Sequence, residues 1–169
     1  MKFLSIIYGI VVYIRNRLYD CKILKEKVLE DTEIICVGNI VVGGAGKTPA
    51  VQYYANKYIL EGKKVGILSR GYKGKRDKNP FLVRDYDKIH CTPIESGDEA
   101  YFHALNLNIP VVVSKDRYKG AKLLKEKFDV KVIIMDDGFQ HRKLKKTENV
   151  LLVDATNPFG GDEYLPKGR

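Results

Sequence analysis

Apolar positions follow two rhythms along the chain. Short stretches rich in β-branched residues, at 33–42, 64–69, 110–114, 131–135 and 150–153, read as strands, with 81–85 as an additional one. Between them, 47–60, 97–107 and 116–128 read as helices, and Gly62 is placed to stop the first. Buried-type strands alternating with helices predict an α/β fold of the P-loop NTPase kind, a mostly parallel sheet with crossover helices on both faces. No internal repeat or low-complexity linker divides 31–169, which reads as one core domain.

Residues 1–30 form a separate region. Phe3, Ile7, Ile10, Ile14 and Leu18 recur at helical spacing, with Lys2 before them and Arg15 and Arg17 at the far end. The apolar run 3–14 is shorter than the roughly 20 residues that a spanning helix needs. No small-residue cleavage site follows it. Two placements suit such an N-terminal amphipathic helix: lying in a membrane interface with its cations toward anionic headgroups, or packed on its own domain.

A chain of 169 residues, 44% hydrophobic and 30% charged, is long enough for one globular domain with a core. Its formal charge of +9 implies an anionic partner without choosing among nucleic acid, membrane and phosphorylated ligand. No nucleic-acid reading module is present and the basic residues are dispersed, so nucleic acid is not expected. Cys21, Cys36 and Cys91 are scattered, as are His90, His103 and His141. Neither a disulfide framework nor a zinc site is expected, and a reducing compartment is the simpler setting.

The candidate chemistry sits where predicted strands end. Gly43-Gly44-Ala45-Gly46-Lys47-Thr48 joins a strand to a helix. Glycines let backbone N–H groups approach phosphates, and the helix N-terminus adds positive potential. Lys47 is placed to bridge the β- and γ-phosphates of ATP, and the Thr48 hydroxyl to ligate Mg²⁺. The strict P-loop pattern asks for glycine at 41, where this chain has Val41. Asp136-Asp137 ends the apolar strand 131–135, as a metal-facing aspartate would. Ser96 and Glu99 have the spacing of a capping box, so Asp98 reads either as an acid complementing a helix dipole or as a base facing the phosphates. Ser69-Arg70-Gly71-Tyr72 follows another strand, with Lys73, Lys75 and Arg76 in a basic loop beyond it.

Taken in order, these pieces resemble the tetraacyldisaccharide 4'-kinase family of lipid A biosynthesis. The resemblance rests on Val37-Gly38-Asn39, the glycine loop through Pro49, Ser69-Arg70-Gly71-Tyr72, Gly97-Asp98-Glu99-Ala100 and Lys115-Asp116-Arg117. Asp136-Asp137-Gly138-Phe139-Gln140-His141 is the most specific piece. Asp154-Ala155 and Leu165-Pro166 through Gly168-Arg169 carry the resemblance to the last residue, and in this family Val41 is no anomaly.

The resemblance implies transfer of the ATP γ-phosphoryl group to the 4'-hydroxyl of a tetraacyldisaccharide 1-phosphate at the cytoplasmic face of the bacterial inner membrane. It makes Lys47, Asp98 and Asp137 catalytic, and Thr48, Glu99 and Asp136 the metal-supporting set. Gly43, Gly44, Ala45, Gly46, Lys47, Thr48 and Gln140 hold the nucleotide. Asn39, Arg70, Arg117, His141 and Arg169 face substrate. The N-terminal helix docks on the membrane. Family members are about twice as long, with a second domain that closes over the nucleotide and supplies a histidine to pair with Asp98. A separately encoded C-terminal half is therefore an expected partner. The rivals are a GTPase-like switch and a non-catalytic membrane-binding remnant. Guanine recognition usually brings Asn-Lys-x-Asp, whereas Asn56-Lys57 here is followed by Tyr58-Ile59 inside a predicted helix.

Overall fold

The computed structural model describes residues 2–39, 46–76 and 79–155, with side chains from residue 6 onward. Its elements are α1 (Lys2–Asp20), β1 (Glu33–Asn39), α2 (Lys47–Leu60), β2 (Val65–Ser69), β3 (Phe81–Arg84) and α3 (Pro93–Ser96). They continue with α4 (Asp98–Asn106), β4 (Val111–Val113), α5 (Arg117–Phe128), β5 (Val132–Asp136) and β6 (Glu148–Leu152). The strands form one sheet in the order β3-β4-β2-β5-β1-β6. All neighbours pair in parallel except β3, which runs antiparallel to β4 at one edge.

Alternation along the central strands assigns each side chain to a face. Ile35 and Val37 of β1 join Val132 and Ile134 of β5 on one side, under Val51 and Ala55 of α2 and Ala100 and Ala104 of α4. Ile34 and Cys36 join Ile133 and Met135 on the other, under Ala121 and Leu124 of α5. Burial at every position of β2 and β5 is thus explained by helices on both faces. The expected α/β architecture is the observed one. Small residues on the helices, Ala55, Ala100, Ala104 and Ala121, let helix backbones approach the sheet closely.

Local boundaries differ in informative ways. The first strand is described to Asn39, and the remainder of its expected span, 40–42, lies outside the described residues. The last strand begins at Glu148, two residues before its apolar signal, because backbone pairing with β1 starts at Ile35↔Glu148. One short helix was not anticipated, and it corrects the capping assignment. Thr92 and Glu95, not Ser96 and Glu99, form the reciprocal pair: the Glu95 carboxylate accepts from the Thr92 backbone N–H at 2.8 Å and from its hydroxyl at 2.9 Å. Ser96 lies inside α3 and donates its hydroxyl to the Thr92 and Gly97 carbonyls, so it cannot take the extended dihedrals of a cap for α4.

The first helix is tied down at its C-terminal end. Arg142 donates to the Asn16 carbonyl at 3.1 Å and pairs with Asp20 at 2.9 Å. Further toward the N-terminus the helix leaves Ile6, Ile7, Ile10, Val11 and Ile14 exposed, Ile10 by 53% and Ile14 by 51%. No helix among the described residues is long and apolar enough to cross a membrane.

Candidate functional site

Parallel strands bring their C-terminal ends to one edge of the sheet, and that edge collects the candidate residues. β1 ends at Asn39 and β5 at Asp136, and α2 and α4 begin beside them. Lys47 opens α2 and donates its ammonium to Asn39 Oδ1 at 2.9 Å. Gly46 before it is left-handed, φ 75°. Thr48 is partly buried in the first turn. Gly43, Gly44 and Ala45 lie outside the described residues, as does Arg169.

At the end of β5 the two aspartates part company. Asp136 is buried, and its Oδ2 lies 3.3 Å from His103 Nε2. Asp137 turns left-handed, φ 52°, and is exposed, while its backbone N–H still donates to Val37. The next residues fold back over β1: the Phe139 ring packs against Gly38, where a β-carbon would stand 3.0 Å from the ring. A larger residue at 38 would have to displace that ring.

The start of α4 faces the same place. Asp98 and Glu99 occupy its first turn, and both are exposed. The Asp98 side chain makes no hydrogen bond with the described residues; Gly97, φ 86°, occupies the cap position without a side chain to offer. Although Glu99 is exposed as a residue, desolvation of its carboxyl by the surrounding groups, and then the neighbouring Asp136 charge, push that carboxyl above its ordinary value, while Lys47 pulls it the other way. Asp137 and His103 also act on this one carboxyl, so α2, α4 and β5 converge on a shared acidic focus.

Beside that focus lies a cavity of about 350 Å³ lined by Arg70, Lys115, Arg117, Asp137, Gly138, Gln140 and His141. Arg117 forms its floor. It is only 3% exposed, and it donates to the carbonyl of Ser114 and, at 3.3 Å, to that of Asp137. Burial, reinforced by the Arg70 charge, pulls its guanidinium down to about 10, which still leaves it charged at neutral pH. The His141 ring is pushed below its ordinary value by burial and next by Arg117. A buried, hydrogen-bonded arginine with further cations around it is suited to phosphate oxygens.

Sequence reasoning missed two members of this edge. Lys115 lines the cavity, although the motif that contains it pointed only to Arg117. His103 is one of three histidines scattered along the sequence, yet it is fully buried against Asp136. Its signal was available: it lies four residues after Glu99 and shares a helix face with Ala100 and Ala104.

Over residues 1–169 the chain matches the family model described as Tetraacyldisaccharide-1-P 4'-kinase. A tetraacyldisaccharide 4'-kinase of Aquifex aeolicus is 44% identical, aligned over 97% of this chain and 50% of that protein. One of Halothermothrix orenii is 37% identical over 99% of this chain and 44% of its own length. The crystal structure of LpxK from Aquifex aeolicus in complex with ATP superposes with a TM-score of 0.88 at 44% identity, covering 98% of this chain and 51% of that one. The chain spans about half the length of the curated relatives it matches.

Proposed function

Since the chain belongs to the tetraacyldisaccharide-1-P 4'-kinase family, we propose that it forms the nucleotide-binding half of an ATP-dependent lipid kinase acting on the 4'-hydroxyl of a tetraacyldisaccharide 1-phosphate. The observation that carries this reading is the convergence of Lys47, Glu99, Asp136 and Asp137 at one end of the sheet, next to a cationic cavity. ATP phosphates lie at the N-terminus of α2, held by its dipole and by Lys47, which exchanges its Asn39 contact for phosphate oxygens.

Among the described residues no group of three or more His, Cys, Asp or Glu side chains is placed to hold a metal ion by itself. That suits Mg²⁺, which keeps several waters and binds through one or two carboxylates plus substrate phosphates. Asp136 and Glu99 are the carboxylates that fit, with the Thr48 hydroxyl beside them. A Mg²⁺ ion held by these residues would supply charge neutralisation for the transferring phosphoryl group. Asp98, exposed and without a structural hydrogen bond, accepts the proton of the 4'-hydroxyl as that oxygen bonds to the γ-phosphorus and the bond to ADP breaks. Asp137 orients the surrounding groups. Arg70, Arg117, Gln140 and His141 hold phosphate oxygens in the cavity, with Arg169 and Asn39 completing the contacts to nucleotide and acceptor. The relatives' remaining length forms the opposite wall of the cleft, whether on the same polypeptide or a second one, and excludes water.

Titration with ATP and GTP tests the nucleotide assignment. Lys47→Ala should weaken Mg-ATP binding by about 1.5–3 kcal/mol, the worth of a charged hydrogen bond. Equal binding by both forms would remove the phosphate role, and a strong GTP preference would favour a GTPase-like switch.

The exposed apolar residues of 6–14 support an interfacial role for α1 over packing on its own domain. We place it on the cytoplasmic face of the inner membrane, with residues 1–30 as the docking region and 31–169 as the kinase core. Binding to liposomes should rise with anionic lipid and fall with salt. Replacing Ile7 and Ile10 together by Asp should abolish it while leaving the melting temperature of the core unchanged. A double variant that unfolds would return the helix to the core.

A further inference from the structure

His103, buried against the carboxylate of Asp136, has no part in the chemistry described so far. Both side chains are out of water, 0% and 3% exposed, and one comes from the last turns of α4 while the other ends β5. His103 Nδ1 is buried and has no hydrogen-bond partner among the described residues. That orphan nitrogen selects a tautomer. With the proton on Nε2, the ring donates to Asp136 Oδ2 at 3.3 Å and leaves only a lone pair unpaired. With the proton on Nδ1, a buried N–H would go unpaired and two lone pairs would face each other, the costlier arrangement.

We propose that His103 is a positioning residue that donates Nε2–H to one oxygen of Asp136, fixing that carboxylate's rotamer and leaving its charge and other oxygen to a nucleotide-borne divalent cation. A lysine or arginine in this place would hold the carboxylate equally well but would compete with the cation for its charge. A neutral imidazole does not. Glu99 and His103, one turn apart on α4, then divide the labour at the acidic focus: Glu99 faces solvent and the ligand, and His103 props Asp136 from the dry side. This inference rests on the nucleotide reading of the site above.

The metal-free chain gives the first readout. Long-range proton–nitrogen spectra of its imidazoles should show His103 as a single Nε2–H tautomer; an Nδ1–H tautomer overturns the proposal without reference to any ligand. Binding of Mn²⁺, followed by its paramagnetic resonance with ATP present, gives the second. His103→Leu should weaken Mn²⁺ retention by about 10-fold or more, the usual consequence of removing a ligand's supporting partner. His103→Gln, which returns an N–H near the Nε2 position, should recover most of it. Metal-free ATP binding should be the same in all three. His103→Leu with wild-type Mn²⁺ affinity, or His103→Gln as weak as His103→Leu, overturns the positioning role. Lys47→Ala separates the two readings: if it retains ATP as the wild type does, the nucleotide assignment fails, whereas loss of ATP in Lys47→Ala together with wild-type Mn²⁺ retention in His103→Leu condemns only the role of His103.

Discussion

Asp98→Asn should lower kcat by about 10²–10⁴-fold, the range typical of general-base help, with little change in ATP KM or melting temperature. The measurement needs the cleft closed, and a fusion of this chain to the remaining part of the Aquifex aeolicus relative provides that background. Two structural facts make the prediction sharp. The capping box beside Asp98 belongs to Thr92 and Glu95, so no cap is lost in the variant. The Asp98 side chain makes no hydrogen bond with the described residues, and removing its charge from a helix first turn costs only a few tenths of a kcal/mol up to about 1. Asp136→Asn should also slow the enzyme, but through cation binding, so that raised Mg²⁺ partly rescues it and leaves the Asp98 variant slow. A fully active Asp98→Asn enzyme would reduce this residue to a dipole-complementing acid.

Gly97→Ala should cost about 3 kcal/mol or more in stability, among the largest effects of any single-methyl addition in this fold. Gly97 joins α3 to α4 at φ 86° and ψ 151°, a region essentially reserved for glycine. A β-carbon there would stand 2.4 Å from the Tyr72 carbonyl oxygen, and that obstacle is backbone, not a flexible side-chain tip. Relief therefore requires the Arg70–Tyr72 turn or the start of α4 to move, and both carry candidate site residues. For a domain of this size, thermal melting should shift down by roughly 6–12 °C, at about 2–4 °C per kcal/mol. Gly62→Ala is the control. Gly62 is also left-handed, φ 76°, but nothing lies within 4 Å of its added carbon, so only the backbone strain of about 1 kcal/mol remains. Equal melting of the two variants would show that the contact with Tyr72 yields easily.

The sequence by itself determined the order and type of the main elements. β-branched runs and helical periodicity are local properties, and they located all six strands and α2, α4 and α5 to within a few residues. It also placed the chemistry at strand ends, because Lys47, Arg70 and Asp136 each follow or finish an apolar run that reads as a strand. The tertiary structure decided what those runs do to one another. The order β3-β4-β2-β5-β1-β6 sets β1 between β5 and β6, and no local pattern encodes that neighbourhood. The cap at 92–95 outcompeted the equally plausible spacing at 96–99 because the chain needed a glycine at 97 to turn between two helices. Arg117 faces substrate by resemblance, but its burial and its bonds to the Ser114 and Asp137 carbonyls come only from the segments after β4 and β5 meeting around it. His103 and Asp136 stand 33 positions apart, and only the packing of α4 on the sheet removes water from both and makes each the other's partner. Burial belongs to the assembled layers, so a histidine's meaning is settled there.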